Sequence, residues 1–385
     1  MKNLSEQFTA DLNQHFFLRE YSFGKNQFRA ALSGRQLELA DHVIALPDAL
    51  LVFQIKGRDS GAATDIASVE KWFHQKVLKK GCGQIADSLR FLRDQPSLIL
   101  TNERGHPHDL ASARELVIPI LLYSSGGALP EGLRTKKHHI SKRAGFVHVL
   151  NIGDYYHLCR TLALPSELIA YFGFRQDMLI RFPEHHWEEA GIAAQFISNT
   201  HDRLTKPEAE AIIQEAANDI PTFDLSSILR RFGDRLTYLP GRGKDLDYYS
   251  ILGEFSRLTR AEMRGFKRLL TWALDKAGTE QAQSPARMKV TTGTGFVVIP
   301  IHEGAFATRL QALNNFSVAC KYDWRLDRQI GLSVARDGAE VEIDWIFIDG
   351  AWQQDPEIES VLRNHYPFRP TPEPRIEFRY PGSSS

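Results

Sequence analysis

Three polar side chains, Asp41, Gln54 and Lys56, stand inside two otherwise apolar runs, residues 37–46 and 49–56. An Asp and a Lys in such surroundings need partners, a metal ion or solvent, because burying an unpaired charge is expensive. The residue types suit phosphodiester hydrolysis. A hard divalent cation such as Mg²⁺ or Mn²⁺ takes oxygen ligands and keeps part of its water shell, so Asp41, the Gln54 oxygen and the carbonyl of Ile55 form a donor set for it. Lys56 would then position and help activate the attacking water, or stabilise charge building on the phosphate. The plainer alternative is a buried ion pair between Asp41 and Lys56.

The elements that must position these groups can be read from the same stretch. Both runs are rich in Val, Ile, Leu and Phe, are too short for core helices, and flank Pro47-Asp48, which predicts two buried strands in a hairpin. With the turn centred between Pro47 and Asp48, cross-strand partners have numbers summing to 95. Leu46 then faces Ala49, and Asp41 lies opposite Gln54. Lys56 shares that face because strand side chains alternate with period two. A bulge would shift the register. Strict alternation puts Glu38 on the opposite face from Asp41, unless the strand starts after it.

Around the hairpin, residues 4–16 read as a helix and 21–31 as an extended, turn-rich stretch punctuated by Gly24 and Asn26. A helix is expected over 66–94, with Gly81-Cys82-Gly83 as a break point. Strands are expected at 98–101, 116–123 and 145–151. Helices follow at 154–162 and 165–174, with Pro165 at the first helical position. This order is α/β with one mixed central sheet flanked by helices. At 385 residues the chain exceeds what one core usually spans, which divides it into residues 1–200 and a C-terminal α+β domain, 201–385. There, helices are expected at 207–218 and 258–277, and strands at 289–300, 316–322, 330–336 and 341–348. Asp337-Gly338 reads as a hairpin turn, and the Pro-, Gly- and Ser-rich tail after Pro367 as a surface or disordered end.

Asp41, twelve intervening residues and then Gln54-Ile55-Lys56 resembles the PD-(D/E)XK nuclease superfamily, in which a β-hairpin presents Asp and (Glu/Gln)-x-Lys. Gln in place of Glu is similar to the Mrr-like restriction endonuclease branch, and Glu38-Leu39-Ala40-Asp41 before an apolar hairpin resembles bacterial members found in defence contexts. The resemblance spans about residues 1–180. It implies a restriction-endonuclease-like fold and a Mg²⁺- or Mn²⁺-dependent endonuclease acting on DNA, in restriction or anti-phage defence. It also implies that Glu20 assists the metal and that Gln84 contacts substrate, although no Tyr follows Gln84 at the usual offset. Gln54 lowers the negative charge of the site by one relative to the Glu form, which leaves open a catalytically inactive, nucleic-acid-binding or protein-interaction descendant. An RNA-cleaving effector would share the site chemistry. Cutting both strands would favour a homodimer, and the C-terminal half would recognise a substrate, partner protein or trigger.

The composition, 43% hydrophobic and 24% charged with zero net charge, is that of an ordinary globular protein and gives no global case for nucleic-acid binding. Local basic clusters at 71–80, 134–143, and 230–235 with 257–268 suffice for a phosphate-binding patch. Lys136, Lys137, Lys142 and Arg143 are the candidates in a phosphate-gripping loop, against the alternative of a solvated loop. Cys82, Cys159 and Cys320 fit neither a disulfide framework nor zinc spacing, and point to a reducing cytoplasm. No apolar run reaches membrane-spanning length, and the polar, mixed stretch Met1–Thr9, without an apolar core, gives no expectation of a secretory signal. His138-His139 and His185-His186 lack a third ligand at a known spacing, and Gly241-Arg242-Gly243-Lys244 reads as a turn.

Overall fold

The apolar runs on either side of Pro47-Asp48 pair as the central hairpin of a six-stranded sheet. The structure is a computed structural model, which describes residues 4–24, 26–29, 36–58, 65–95, 97–110, 115–126, 129–236, 248–338, 340–369 and 380. The sheet contains β1 (Ser22–Phe23), β2 (His42–Leu46), β3 (Ala49–Gly57), β4 (Val117–Ser124), β5 (His138–Ser141) and β6 (Gly145–Asn151), in the order β1-β2-β3-β4-β6-β5. β3, β4 and β6 run parallel, while β1 with β2, β2 with β3 and β5 with β6 are antiparallel. β2 is buried along its whole length, as is β3 up to Ile55, the pattern of strands covered on both faces.

The hairpin register runs Leu46↔Ala49 to His42↔Phe53, so every pair sums to 95. Alternation then assigns the two faces. Val43, Ala45, Leu50 and Val52 pack with Val69, Phe73, Val77 and Ile85 of the long helical segment. On the other face Phe53 meets Tyr155, whose hydroxyl donates to Asn13 of the helix Leu4–Phe16. Gln54 and Lys56 continue the first set along β3 and therefore belong to the side covered by the long helix, while Asp41 lies just before β2.

Several elements depart from the pattern read in the sequence. Residues 37–46 are not one strand: Gln36–Glu38 pairs with Gln27–Arg29 in a separate ribbon, and β2 begins only at His42. Glu38 thus lies outside the hairpin. The helix over 66–94 does not break at Gly81. It passes from α (Ile66–Trp72) through a π segment (Phe73–Gly81) back to α (Cys82–Asp94). Gly81 is needed there for proximity, since a Cβ would stand 2.6 Å from Leu121 Cδ1, beside Gln54 in the parallel ladder. Within the basic stretch 134–143, His138–Ser141 form the edge strand β5, while Lys136 and Lys137 precede it and Lys142 and Arg143 lie in the turn after it.

The chain divides into two compact units, Met1–Asn218 with residues 380–384, and Asp219–Arg379 with residue 385. The second unit holds a four-stranded sheet of β7 (Ala286–Lys289), β8 (Gly295–Pro300), β9 (Arg328–Asp337) and β10 (Glu340–Asp349), in sequence order. The run 289–300 splits into two antiparallel strands around Gly293, which has φ +84°. Residues 316–322, expected as a strand, lie in the helix Arg309–Asp323. The alternation of Phe316, Val318, Cys320 and Tyr322 imitates a strand, but the buried stripe Leu313, Ser317 and Cys320 has helical spacing. Of the tail, Phe368 is buried and Tyr380 is buried in the first unit, its hydroxyl donating to Glu167. Residues 370–379, 381–385 and Gly241–Lys244 lie outside the described residues. Among those described, no helix is long and apolar enough to cross a membrane, and all three cysteines are buried free thiols.

Candidate active site

Asp41 precedes β2 and takes its position from the backbone. Its amide donates to the Phe53 carbonyl at 3.1 Å, which holds the residue at the mouth of the hairpin. Its side chain replaces the next rung of the ladder: Asp41 Oδ2 accepts from the Ile55 amide at 2.6 Å. The carboxylate is thereby locked at the end of β3, where Lys56 pairs with Tyr123 near the carboxyl end of parallel β4. Crevices at such strand ends are the usual place for ligands in open α/β sheets.

Lys56 extends into the same corner. Its ammonium donates to Asp41 Oδ2 at 3.1 Å, Gln54 Oε1 at 3.2 Å and the Ile55 carbonyl at 3.0 Å. The Lys56 and Asp41 side chains are only 14% and 17% exposed, and Gln54 is buried. The structure thus brings together all four residues of the motif. Asp41 and Lys56 do form an ion pair, and that pair is also the convergence point of three oxygens.

Those oxygens are of the type that a hard cation takes as ligands. Among the described residues, no three His, Cys, Asp or Glu side chains gather at one point. The donors on offer are one carboxylate, one amide oxygen and one main-chain carbonyl, a set suited to an ion that keeps part of its water shell. Asp41 Oδ1 takes no hydrogen bond from any described residue and is available as well.

Two residues not singled out for the site in the sequence position it. Asn26 is fully buried, and its Oδ1 accepts from the amides of Leu39 and Ala40, both at 3.1 Å. This clamp draws the backbone out of the strand path and delivers Asp41 to the end of β3. The signal for it was an Asn in a turn-rich stretch, which reads equally well as punctuation. Ser88, on the long helix, donates to the Leu39 carbonyl from the other side. Asn26→Ala leaves the Ala40 amide without its acceptor, while the Leu39 amide keeps its bond to the Asn26 carbonyl at 3.0 Å; the variant is expected to lower stability by about 1–2 kcal/mol. Urea unfolding checks this against Asn26→Asp, which keeps the acceptor oxygen.

The remaining candidates are placed as follows. Gln84 lies one turn from Ser88 on the same helix face, toward the segment that leads into Asp41. Its Oε1 is buried, with no hydrogen-bond partner among the described residues. Glu20 is buried and ion-paired to Arg104 at 2.8 Å; no hydrogen bond or ion pair joins it to Asp41, Gln54 or Lys56. Lys136 is exposed, but Lys137 is buried and turned inward, 3.3 Å from Asp154 and 3.7 Å from Glu189. Lys137 is therefore withdrawn from the phosphate-contact set, because its charge is spent on interior carboxylates. Lys142 and Arg143 remain exposed, with Arg143 held by Asp87 at 2.8 Å.

Lys142 and Arg143 form one wall of a groove of about 610 Å³, whose other wall is the long helix with His74 and Lys79. Leu78, Cys82 and Ala86 line the groove between them. His139, also in the groove, has its pKa lowered by partial burial and by Lys136, so the groove's fixed charges are Lys79, Lys142 and Arg143. Like the motif, this groove belongs to the side of the sheet covered by the long helix.

Compared with known proteins, the chain matches no family model, no curated protein and no solved structure.

Proposed function

We propose that the first unit is a Mg²⁺- or Mn²⁺-dependent endonuclease of the PD-(D/E)XK type, with a restriction-endonuclease-like sheet, that hydrolyses DNA phosphodiester bonds. The observation that carries this reading is the convergence of Asp41 Oδ2, Gln54 Oε1 and the Ile55 carbonyl on Lys56 Nζ at the end of β3. Asp41, Gln54 and Ile55 would hold the cation. When bound, it would supply Lewis-acid polarisation of the phosphate. Asp41 is oriented for this by the Ile55 amide, and Lys56 brings an ammonium for the charge that builds on the phosphate oxygens. Gln84, whose amide oxygen has no hydrogen-bond partner among the described residues, is the candidate for a substrate contact on the helix.

A second reading, a non-cleaving nucleic-acid binder, is favoured by one feature: Gln54 in place of a carboxylate leaves the site a single acidic side chain. The two readings part on incubation of the full chain with supercoiled plasmid and Mg²⁺ or Mn²⁺ at low salt. Nicking or linearisation that EDTA abolishes supports the endonuclease; binding without cleavage supports the binder. The same assay on a single-stranded RNA of matched length separates DNA from RNA as substrate. A role in restriction or defence, and pairing of two copies to cut both strands, follow only if the site cleaves DNA.

The basic groove is the proposed track for the phosphate backbone. Lys79→Glu with Lys142→Glu is expected to weaken DNA binding at least tenfold at low salt and to flatten the plot of log affinity against log salt by roughly 2, about one for each lost phosphate contact. Fluorescence anisotropy over a salt series measures both. An unchanged slope would remove the groove from the binding path.

A further inference from the structure

Resting on the metal-dependent reading above, we propose that Lys56 and the divalent cation occupy the same three-oxygen pocket in turn, so that cation entry requires the Lys56 ammonium to leave. An ammonium has three N–H donors, and Lys56 spends one on each of Asp41 Oδ2, Gln54 Oε1 and the Ile55 carbonyl, at 3.0–3.2 Å. These are the oxygens available to a cation. Magnesium binds oxygens at about 2.1 Å, so an ion centred on these three would overlap the position of Nζ. Two positive charges cannot share the pocket.

The pocket is the fixed partner in this exchange. Ile55 is in the middle of a sheet and contributes main chain, Gln54 is 3% exposed within β3, and Asp41 is pinned by the Ile55 amide at 2.6 Å. Lys56 reaches in on a four-carbon stem with several rotamers, and it sits next to the strand end at Gly57. The lysine is therefore the part that moves. Its ammonium neutralises Asp41 while no cation is bound and is released toward the site mouth when one is. Cation loading and the presentation of Lys56 to a phosphate become a single event, which keeps the ammonium out of reach until the site is complete.

The competition has a consequence opposite to that of a lysine that merely supports the site. Removing the ammonium should raise cation affinity even as it removes the catalytic charge. The test is Mn²⁺ binding to the full chain without nucleic acid, read by the EPR signal of free Mn²⁺, for wild type, Lys56→Met and Asp41→Ala/Lys56→Met. Binding by Lys56→Met at least tenfold tighter than by wild type, and lost in the double variant, is the expected result. Equal or weaker binding by Lys56→Met, with wild type binding, overturns the competition and leaves the nuclease reading standing. No binding by either protein overturns both. A measurement on unaltered protein guards against misfolding of the variant: acylation of Lys56, followed by peptide mass spectrometry, should rise severalfold on saturating Mn²⁺. No change in labelling while Mn²⁺ binds would overturn the exchange.

Discussion

Replacing Arg175 by methionine is expected to lower the stability of the first unit by about 3–5 kcal/mol, the usual cost of leaving one member of a buried ion pair without its partner. Arg175 and Glu189 are both buried; Arg175 Nε and Nη2 donate to the two Glu189 oxygens at 2.7 and 2.9 Å. The Tyr171 hydroxyl donates to the same carboxylate, Arg175 Nη1 donates to His148 Nδ1 at 3.1 Å, and Lys137 closes the group. A folded domain has only about 5–15 kcal/mol in hand, so the variant should unfold at a fraction of the wild-type urea midpoint. A shift equivalent to less than about 1 kcal/mol would show that the site collapses or hydrates without penalty.

The same network sets an acid limit. Burial alone would raise the Glu189 carboxyl, but the Arg175 guanidinium, then Lys137 and the Tyr171 hydroxyl, outweigh it and hold its pKa at about 2. The folded value lies below the unfolded one, so the stabilisation is complete above the ordinary carboxylate range and is lost as pH falls toward 2. His148 acts in the same direction at higher pH. Burial, with Arg175 and His138 beside it, pushes its pKa well below the ordinary histidine value. The unfolded chain therefore binds this proton first, and stability begins to fall below about pH 6.5. Urea midpoints should decline from pH 7 to pH 4, more gently in His148→Gln above pH 5.

The second large effect belongs to the candidate active site. Lys56→Ala and Asp41→Ala are each expected to reduce DNA cleavage by at least 10³-fold, because either removes a charge aimed at the reacting phosphate or at the cation beside it. Their effects on the fold should differ from those on cleavage. Lys56→Ala should keep most of its stability, whereas Asp41→Ala leaves the Ile55 amide without its acceptor and should lose about 1–3 kcal/mol while staying folded. DNA affinity should also persist, since the groove between the long helix and β5 is intact. Gln54→Glu restores a second carboxylate and should at least retain cleavage if the site is catalytic.

The hairpin was legible in the sequence because two constraints agreed on it. A two-residue Pro47-Asp48 turn and the apolar residues beside it, 43–46 and 49–53, leave little choice of register, and the observed pairs follow it. Period-two alternation put Gln54 and Lys56 on one face, but the expected pairing of Asp41 with Gln54 is not made: the ladder ends at His42↔Phe53, and Asp41 reaches the corner through its side chain on the Ile55 amide. What stayed hidden depends on residues far away in the chain. Lys137 looks like its neighbour Lys136 in sequence, yet Asp154 and Glu189 draw it inside. Gly81 looks like a helix breaker until Leu121 is placed beside it. Asn26 looks like turn punctuation until Leu39 and Ala40 present their amides to it. Local pattern fixed the strands that carry the chemistry, while tertiary partners decided how those strands begin and which charges face water.

The central claim is tested most directly by supercoiled plasmid cleavage with Mn²⁺ at low salt, wild type beside Asp41→Ala and Lys56→Ala, all purified identically. Cleavage by wild type, abolished by EDTA and absent from both variants, is the result the assignment requires. Cleavage that persists in both variants would place the chemistry elsewhere, and DNA binding without cleavage by wild type would contradict the endonuclease and leave a nucleic-acid binder.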